Sequence, residues 1–279
     1  MPPVDIYQYK SYLFTIAYHM LGEVPAAEDL VQDTFETWLQ ADRSQVKEVK
    51  AYLSRILINK ALARLEQVKK QREVYKGIWL PQPLFAEQGL PEEYTLEYAL
   101  LFLLEKLNPY ERAVFVLKEV FAYSHQQIAD TLQITSDNCR QLFHRAKEKV
   151  RKGGLQQPAE VAKQQALLNA LLRAMHEKDL SQLEEFFWED IVMYQDGGGK
   201  VAAALKPIYG GKNIRKFLKY ILQLDPETLL EGKLIWMNGA WGILFYLNSV
   251  PDTVGTVEID GDKIRNLFFI RNPDKIILP

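Results

Sequence analysis

The 279-residue chain contains one cysteine, Cys139, and four histidines. A lone cysteine cannot form a disulfide framework, and the scattered histidines offer no Cys/His spacing suited to zinc. The N-terminus lacks a basic stretch followed by an apolar core, and no hydrophobic run is long enough to cross a bilayer. Lysine plus arginine (34) nearly balance aspartate plus glutamate (36), so the chain is not basic overall. We therefore expect a cytoplasmic protein with no membrane association, no metal site and no cofactor.

Proline, glycine and strand-forming residues divide the chain into three predicted domains. Two all-α domains, at 1–76 and 96–153, are joined by a Pro/Gly-rich linker at 77–95. A second linker at 154–162 leads to an α+β domain at 163–279. In that last domain, 233–250 and 253–270 are rich in aromatic and β-branched residues, and turns are expected at Asn238-Gly239 and Asp260-Gly261. The predicted fold is therefore multidomain, helical first and α+β last.

Charge is segregated along the first domain. Between His19 and Asp42 every charged residue is acidic, and the predicted helix there places Asp29, Asp33 and Glu36 on one face. The opposite face carries an apolar stripe, expected to be buried, made of Val31, Phe35, Trp38 and Leu39. A face of one sign costs a few tenths of a kcal/mol per neighbouring pair, so it suits a basic partner. An ordinary solvated face remains the alternative.

The following helix has the opposite charge. It places Asn59, Lys60 and Arg64 away from an apolar stripe that includes Leu53 and Leu57. A row of cations beside an amide suits a phosphate backbone with base edges nearby. A soluble helix with exposed lysines is the alternative.

A helix-turn-helix is predicted in the second domain. A short helix at 124–132 is followed by the tight turn Gln133-Ile134-Thr135 and a longer helix at 136–152. The exposed side of the longer helix is polar and basic, with Ser136, Asn138, Arg140, Gln141, His144 and Arg145 as candidate DNA contacts. Arginine can bind guanine with two hydrogen bonds, and asparagine or glutamine can bind adenine in the same way. An αα-hairpin used only for packing is the alternative.

These motifs together resemble a known family. Residues 27–35 and the run from Val49 to Ala61 are similar to region 2 of an extracytoplasmic-function (ECF) sigma factor of the sigma-70 family, and 107–149 is similar to its region 4. Three further motifs resemble the subgroup that carries a C-terminal SnoaL-like domain. They are Trp79-Leu80-Pro81-Gln82-Pro83, Asp196-Gly197-Gly198-Gly199-Lys200 and Asn272-Pro273-Asp274-Lys275.

The resemblance implies partners for the charged faces. Asp29, Asp33, Glu36 and Trp38 would contact core RNA polymerase, whose β′ and β subunits are the expected partners. The helix with Asn59, Lys60 and Arg64, and the loop around 41–49, would engage the -10 promoter element, while the helix at 136–152 would read the -35 element. Gln133 departs from the family pattern, because such turns often place glycine there.

The resemblance also implies a cone-like α+β barrel with a pocket for the third domain. The three motifs named above are expected to meet at one regulatory surface and to control the sigma domains in cis. Asp196 is the obvious candidate acid/base residue if the domain were an enzyme, but no catalytic role is assigned. The Gly197–Lys200 run lacks the spacing and the Ser/Thr of a phosphate-binding loop, so a sharp turn is the better interpretation.

Three functions are compatible with the sequence. The leading one is a transcription initiation factor that works only with core polymerase. A one-component DNA-binding regulator with a ligand-binding C-terminal domain would use the helix-turn-helix but leave the acidic face unexplained. A SnoaL-class enzyme would depend on Asp196 and survive deletion of the helical domains. A small-molecule ligand of the third domain is possible under all three.

Overall fold

A computed structural model describes residues 5–44, 46–85, 94–154, 160–181, 183–223 and 230–278. Within these residues the chain forms two compact units, one of 5–73, 94–96 and 100–154 and the other of 74–85, 97–99 and 160–278. Parts of both predicted linkers, 86–93 and 155–159, lie outside the described residues, as does Gln45 in the loop expected to engage DNA. In the described part of the chain, no helix is long and apolar enough to span a membrane.

The first unit contains both predicted helical regions. Its helices are α1 (Lys10–Leu21), α2 (Val24–Gln40), α3 (Val49–Glu73), α4 (Tyr98–Leu104), α5 (Pro109–Phe115), α6 (His125–Leu132) and α7 (Ser136–Lys152), and the first two residues of α4 belong to the second unit. A π-helical turn, Val116–Val120, extends α5. Helix α1 packs on α2 and α3, α5 packs on α7, and α3 also contacts α5 and α6. The two regions therefore form one packed body.

Helix α2 buries the predicted apolar stripe with one exception. Val31, Phe35 and Trp38 are buried, but Leu39 is 61% exposed, so the prediction that it belongs to the core was wrong. At 100° per residue the buried face is centred between Trp38 and Ala27, and Leu39 lies more than a quarter turn away from that centre.

The described elements of the second unit are α8 (Val161–His176), β1 (Phe187–Asp196), β2 (Ile208–Tyr209), α9 (Gly211–Gln223), β3 (Leu230–Met237), β4 (Ala240–Leu247), β5 (Val250–Asp260) and β6 (Lys263–Ile270). The strands form a six-stranded sheet in the order β2-β1-β6-β5-β4-β3. Strand β1 pairs with β6 in parallel, and the other pairs are antiparallel. Helices α8 and α9 and the sheet share one buried apolar cluster, which includes Leu168 of α8 and Ile214 and Leu218 of α9.

The sheet agrees with the predicted strands and adds two, β1 and β2. Both expected turns separate strands: Asn238 and Gly239 have positive φ between β3 and β4, and Gly261 has positive φ between β5 and β6. Strand β1 escaped prediction because a register shift between Phe187 and Val192 interrupts its alternation. The predicted fold class, helical regions followed by an α+β domain, is confirmed.

Candidate linker-binding site and nucleic-acid interface

Asp196, the last residue of β1, is the centre of a buried site that holds the segment 74–85. Its side chain is fully buried. One carboxylate oxygen accepts hydrogen bonds from the Tyr75 hydroxyl (2.5 Å) and the Gly198 N–H (2.9 Å). The other accepts from the Leu80 N–H (2.9 Å) and from Lys275 Nζ (2.7 Å). Four donors, two of them from the segment 74–85, therefore compensate one buried charge.

Lys275 completes the charge balance of the site. Its side chain is only 5% exposed. Besides Asp196, its ammonium donates to the Leu80 carbonyl at 2.5 Å and lies over the Trp79 ring, 4.0 Å from the centroid. A desolvated cation over an indole is among the stronger cation–π geometries. Both the backbone and the aromatic side chain of the segment thus bind the same buried ion pair.

The glycine run and the Asn-Pro-Asp-Lys motif position these groups. Gly198 has φ +64°, and a Cβ there would lie 2.5 Å from Cγ of Asn272, so the close approach requires glycine. Asn272 in turn donates to the Tyr75 hydroxyl (3.1 Å) and accepts from the Asp274 N–H (3.1 Å). Lys200 and Asp274 form an exposed ion pair of 2.6 Å at the rim, which contributes little.

Two further residues that bind the segment 74–85 through hydrogen bonds, Asn238 and Tyr98, were not predicted. Asn238 donates its N–H to the Leu84 carbonyl (2.8 Å), and its side-chain oxygen accepts from the Leu84 N–H (3.0 Å). The Tyr98 hydroxyl donates to the Pro81 carbonyl (2.6 Å). The Asn-Gly pair was interpreted only as a turn, although an asparagine in the left-handed region also presents its amide to a neighbouring chain. Leu80, Pro81, Pro83 and Leu84 are all buried as a result.

The arrangement is suited to holding a peptide segment. The Asp196 carboxylate faces no solvent, and its four donors belong to the protein itself. A cavity of ≈ 290 Å³ lies between α8 and the strands β3 and β4, lined by Leu172, His176 and Phe245 among others, and Asp196 is not part of its lining. In the described residues, no group of three or more His, Cys, Asp or Glu side chains is placed to hold a metal ion.

The helix-turn-helix is formed by α6, the turn and α7. Ser124 and Gln127 make a reciprocal capping box at the start of α6, and Thr135 caps α7. Gln133 adopts the left-handed conformation, φ +56° and ψ +42°, that glycine would adopt at lower cost. Gln133 therefore takes the left-handed conformation of the tight turn although it is not a glycine.

Helix α7 presents the predicted polar face to solvent. Cys139, Leu142, Ala146 and Val150 are buried. Ser136 is half-buried, and the exposed candidates are Asn138, Arg140, Gln141, His144 and Arg145. Arg140 pairs with Asp137 on its own helix at 2.5 Å, so its guanidinium is partly neutralised.

The charged faces of α2 and α3 lie side by side. Asp29, Asp33 and Glu36 are exposed on α2, as is Asn59 on α3, whereas Lys60 is half-buried. Arg64 of α3 is 3.4 Å from Asp29, in an exposed ion pair that is worth less than about 1 kcal/mol. Trp38 is buried and packs edge-on against Tyr52, so its indole lies in the core and helps to fix α2, which carries the acidic face.

A buried charge cluster within the first unit was also missed. Glu105 pairs with both Arg72 and Arg112, at 2.6 Å in the second case. Arg112 also donates to the His19 carbonyl (2.8 Å), and Arg72 donates to the Leu21 carbonyl (2.9 Å). Burial, with the nearby Arg112 charge, lowers the pKa of His19 to about 3. These residues are up to 93 positions apart, so helical periodicity carried no signal of their contact.

Comparison with known proteins identifies the helical regions. The sigma-70 region 2 family model matches residues 6–71, and the sigma-70 region 4 model matches residues 98–150. Together with the helix-turn-helix, these matches define a protein of the sigma-70 class.

Similar proteins extend over nearly the whole chain. The probable ECF RNA polymerase sigma factor SigI of Mycobacterium tuberculosis (strain ATCC 25618 / H37Rv) is 32% identical over 96% of this chain and 92% of its own length. The ECF RNA polymerase sigma factor SigJ of the same strain is 27% identical over 95% of this chain and 90% of its own. The crystal structure of M. tuberculosis SigJ has the same fold, with a TM-score of 0.75 at 23% identity, covering 97% of this chain and 98% of that one. The chain belongs to the ECF RNA polymerase sigma factors.

Proposed function

We propose that this sigma factor directs core RNA polymerase to promoters, and that its C-terminal unit regulates this activity in cis by holding the linker between regions 2 and 4. The observation that carries the proposal is the buried site around Asp196, which binds residues 74–85 through Tyr75, Leu80 and the Trp79 ring. No small-molecule ligand is part of the proposal.

Holding this segment limits how far regions 2 and 4 can separate. The 24 residues from Val74 to Glu97 could span roughly 80 Å when fully extended. Anchoring 74–85 fixes the length of half of these residues and leaves only the 12 residues 86–97, at most roughly 40 Å, free to extend. The -10 and -35 elements are roughly 85 Å apart along duplex DNA at 3.4 Å per base pair. Release of the segment therefore favours engagement of both elements.

The packing of the first unit also supports the proposal that regions 2 and 4 have to separate on a promoter. Helix α3, with its candidate -10 contacts, touches α6 of the helix-turn-helix. The 25 residues of α3 make it about 38 Å long, less than half the distance between the two promoter elements. Regions 2 and 4 must separate before both can contact one promoter, and separation exposes the charge cluster around Glu105.

In this proposal each charged face has one partner. Asp29, Asp33 and Glu36 contact the β′ subunit of core polymerase, which supplies the basic partner that a face of one sign requires. Asn59, Lys60 and Arg64 engage the -10 element, and the weak Arg64–Asp29 pair is given up at little cost. The exposed side of α7 reads the -35 element.

Reconstituted transcription with core polymerase tests the regulatory part. We would compare the full chain, Asp196→Asn, a truncation after Gly154, and a deletion of Asn272–Pro279. The proposal expects each of the three variants to differ from the full chain in promoter activity or polymerase affinity. Equal transcription from all four proteins would refute regulation in cis.

A charge reversal tests the polymerase contact. Asp29→Lys with Asp33→Lys should abolish association with core polymerase and leave the fold intact, because both carboxylates are exposed and the Asp29–Arg64 ion pair is weak. Glu177→Lys with Asp179→Lys, at exposed positions in the C-terminal unit, makes the same change in net charge and is the matched control. Loss of association in both double variants, or in neither, would contradict the assignment.

A further inference from the structure

One stretch of the C-terminal unit is basic and free of acidic residues. From Gly197 to Leu224 the chain contains no aspartate or glutamate. The same stretch contains Lys200, Lys206, Lys212, Arg215, Lys216 and Lys219. In a chain with a formal net charge of -2, this local excess of positive charge is comparable to the one on helix α3.

Helix α9 gathers three of these lysines on one exposed face. Ile214 and Leu218 are buried in the core of the unit. Lys212, Lys216 and Lys219 lie at i, i+4 and i+7, so they share a side of the helix, and all three are exposed. Among the described residues none of the three has an ion-pair partner, whereas Arg215 is paired with Glu184 at 2.6 Å.

This lysine face carries an uncompensated electrostatic cost. Neighbouring like charges on a helix repel by a few tenths of a kcal/mol per pair, and a polyanion lying along the face would remove the repulsion. Two tyrosines are exposed with it, Tyr220 on α9 (61%) and Tyr209 on β2 (63%). Lysines with hydroxyl-bearing aromatic side chains are typical contacts of a sugar-phosphate backbone.

The apolar side of α9 decides between two polyanionic partners, an anionic membrane surface and DNA. A helix that binds a membrane surface inserts its apolar face into the lipid. The apolar residues Ile214 and Leu218 of α9 are already packed in the protein core and cannot insert. We infer that the Lys212–Lys216–Lys219 face of α9 binds the phosphate backbone of duplex DNA without reading its sequence. The choice of DNA rests on the proposed function, which brings the chain to a promoter.

The salt dependence of DNA binding measures this contact. Each phosphate contact contributes about 0.9 to the slope of log affinity against log salt, so loss of three lysines should lower the slope by about 2.7. Between 50 and 200 mM salt, the affinity of the wild type should then fall about 40-fold more than that of the variant. Contacts made by regions 2 and 4 are common to both proteins and cancel in the difference.

The experiment is fluorescence anisotropy of the full chain on a labelled 40-base-pair duplex without promoter elements. The variant K212Q/K216Q/K219Q is compared with K178Q/K233Q/K263Q, which removes three exposed lysines elsewhere in the same unit. The single variant K216Q should lower the slope by about 0.9 and guards against misfolding of the triple variant.

Three outcomes would overturn the inference. They are equal slopes for the two triple variants, no binding of wild type at 50 mM salt, and loss of binding to phosphatidylserine vesicles with an unchanged DNA slope. Association with core polymerase is measured on the same proteins. A slope difference without polymerase association would refute the proposed function and support the α9 contact. Polymerase association without a slope difference would support the proposed function and refute the α9 contact.

Discussion

Replacing Asp196 by asparagine should release the linker segment from the C-terminal unit. The substitution keeps the shape of the side chain but removes the charge that faces Lys275 at 2.7 Å. Removing one partner of a buried ion pair typically costs about 3–5 kcal/mol, because the other charge stays buried without compensation. Asp196 is fully buried and Lys275 nearly so, so little of this cost is relieved by water.

The assay is hydrogen exchange at the Leu84 amide. This N–H donates to Asn238 and does not touch Asp196, so it reports opening of the segment and not the loss of its own acceptor. If local opening limits exchange, a loss of 3 kcal/mol speeds it by about two orders of magnitude. Local exchange is preferable to global unfolding, because a chain of two compact units need not unfold in one step.

A double-mutant cycle makes the prediction sharper. Lys275→Met alone should accelerate exchange by a similar factor, since it leaves Asp196 buried with only its neutral donors. The double variant should be less impaired than the sum of the two single ones, because neither charge is then left alone. Exchange at Leu84 in Asp196→Asn as slow as in the wild type, or strictly additive effects, would refute the argument that the ion pair holds the segment.

Two further predictions concern the first unit. The pKa of His19 in the folded chain, about 3, lies below its ordinary value of 6.5, so the unfolded chain takes up the proton first as the pH falls. The contribution of His19 to the free energy of unfolding should therefore be fully present above pH 6.5 and decline below it, by about 2 kcal/mol at pH 5. Urea unfolding of His19→Leu should not show this decline, and a pH profile equal to that of the wild type would contradict the argument that His19 is buried in its neutral form. Glu105→Gln should destabilise the unit by about 3–5 kcal/mol in urea unfolding, because it leaves two largely buried arginines facing each other. Glu119→Gln, which breaks an exposed pair, should cost less than about 1 kcal/mol, and equal effects of the two changes would show that the Glu105 cluster does not stabilise the unit.

Prediction from sequence succeeded where the structure depends on residues close together in the chain. The helix-turn-helix and the hairpin turns follow from residues close together in the chain. It failed at Leu39, which lies more than a quarter turn from the centre of the buried face of α2, at β1, where a register shift interrupts the strand alternation, and at the two-residue strand β2. The motif residues Asp196, Asn272 and Lys275 were singled out, but two further residues that hold the segment 74–85 were not: Tyr98, which stands in no distinctive local pattern, and Asn238, which was predicted only as part of a turn.

The sequence by itself determined that the two regions before the C-terminal unit are helical, which surfaces carry charge of one sign, and that a helix-turn-helix follows a Pro/Gly-rich linker. Only the tertiary structure decided through which contacts this linker binds the C-terminal unit, such as the one between Tyr75 and Asp196 across 121 positions of the chain. The physical reason is burial. Periodicity and capping depend on neighbours in sequence, whereas a carboxylate without access to water requires whatever donors the fold brings to it, and the order of strands in the sheet decides which those are.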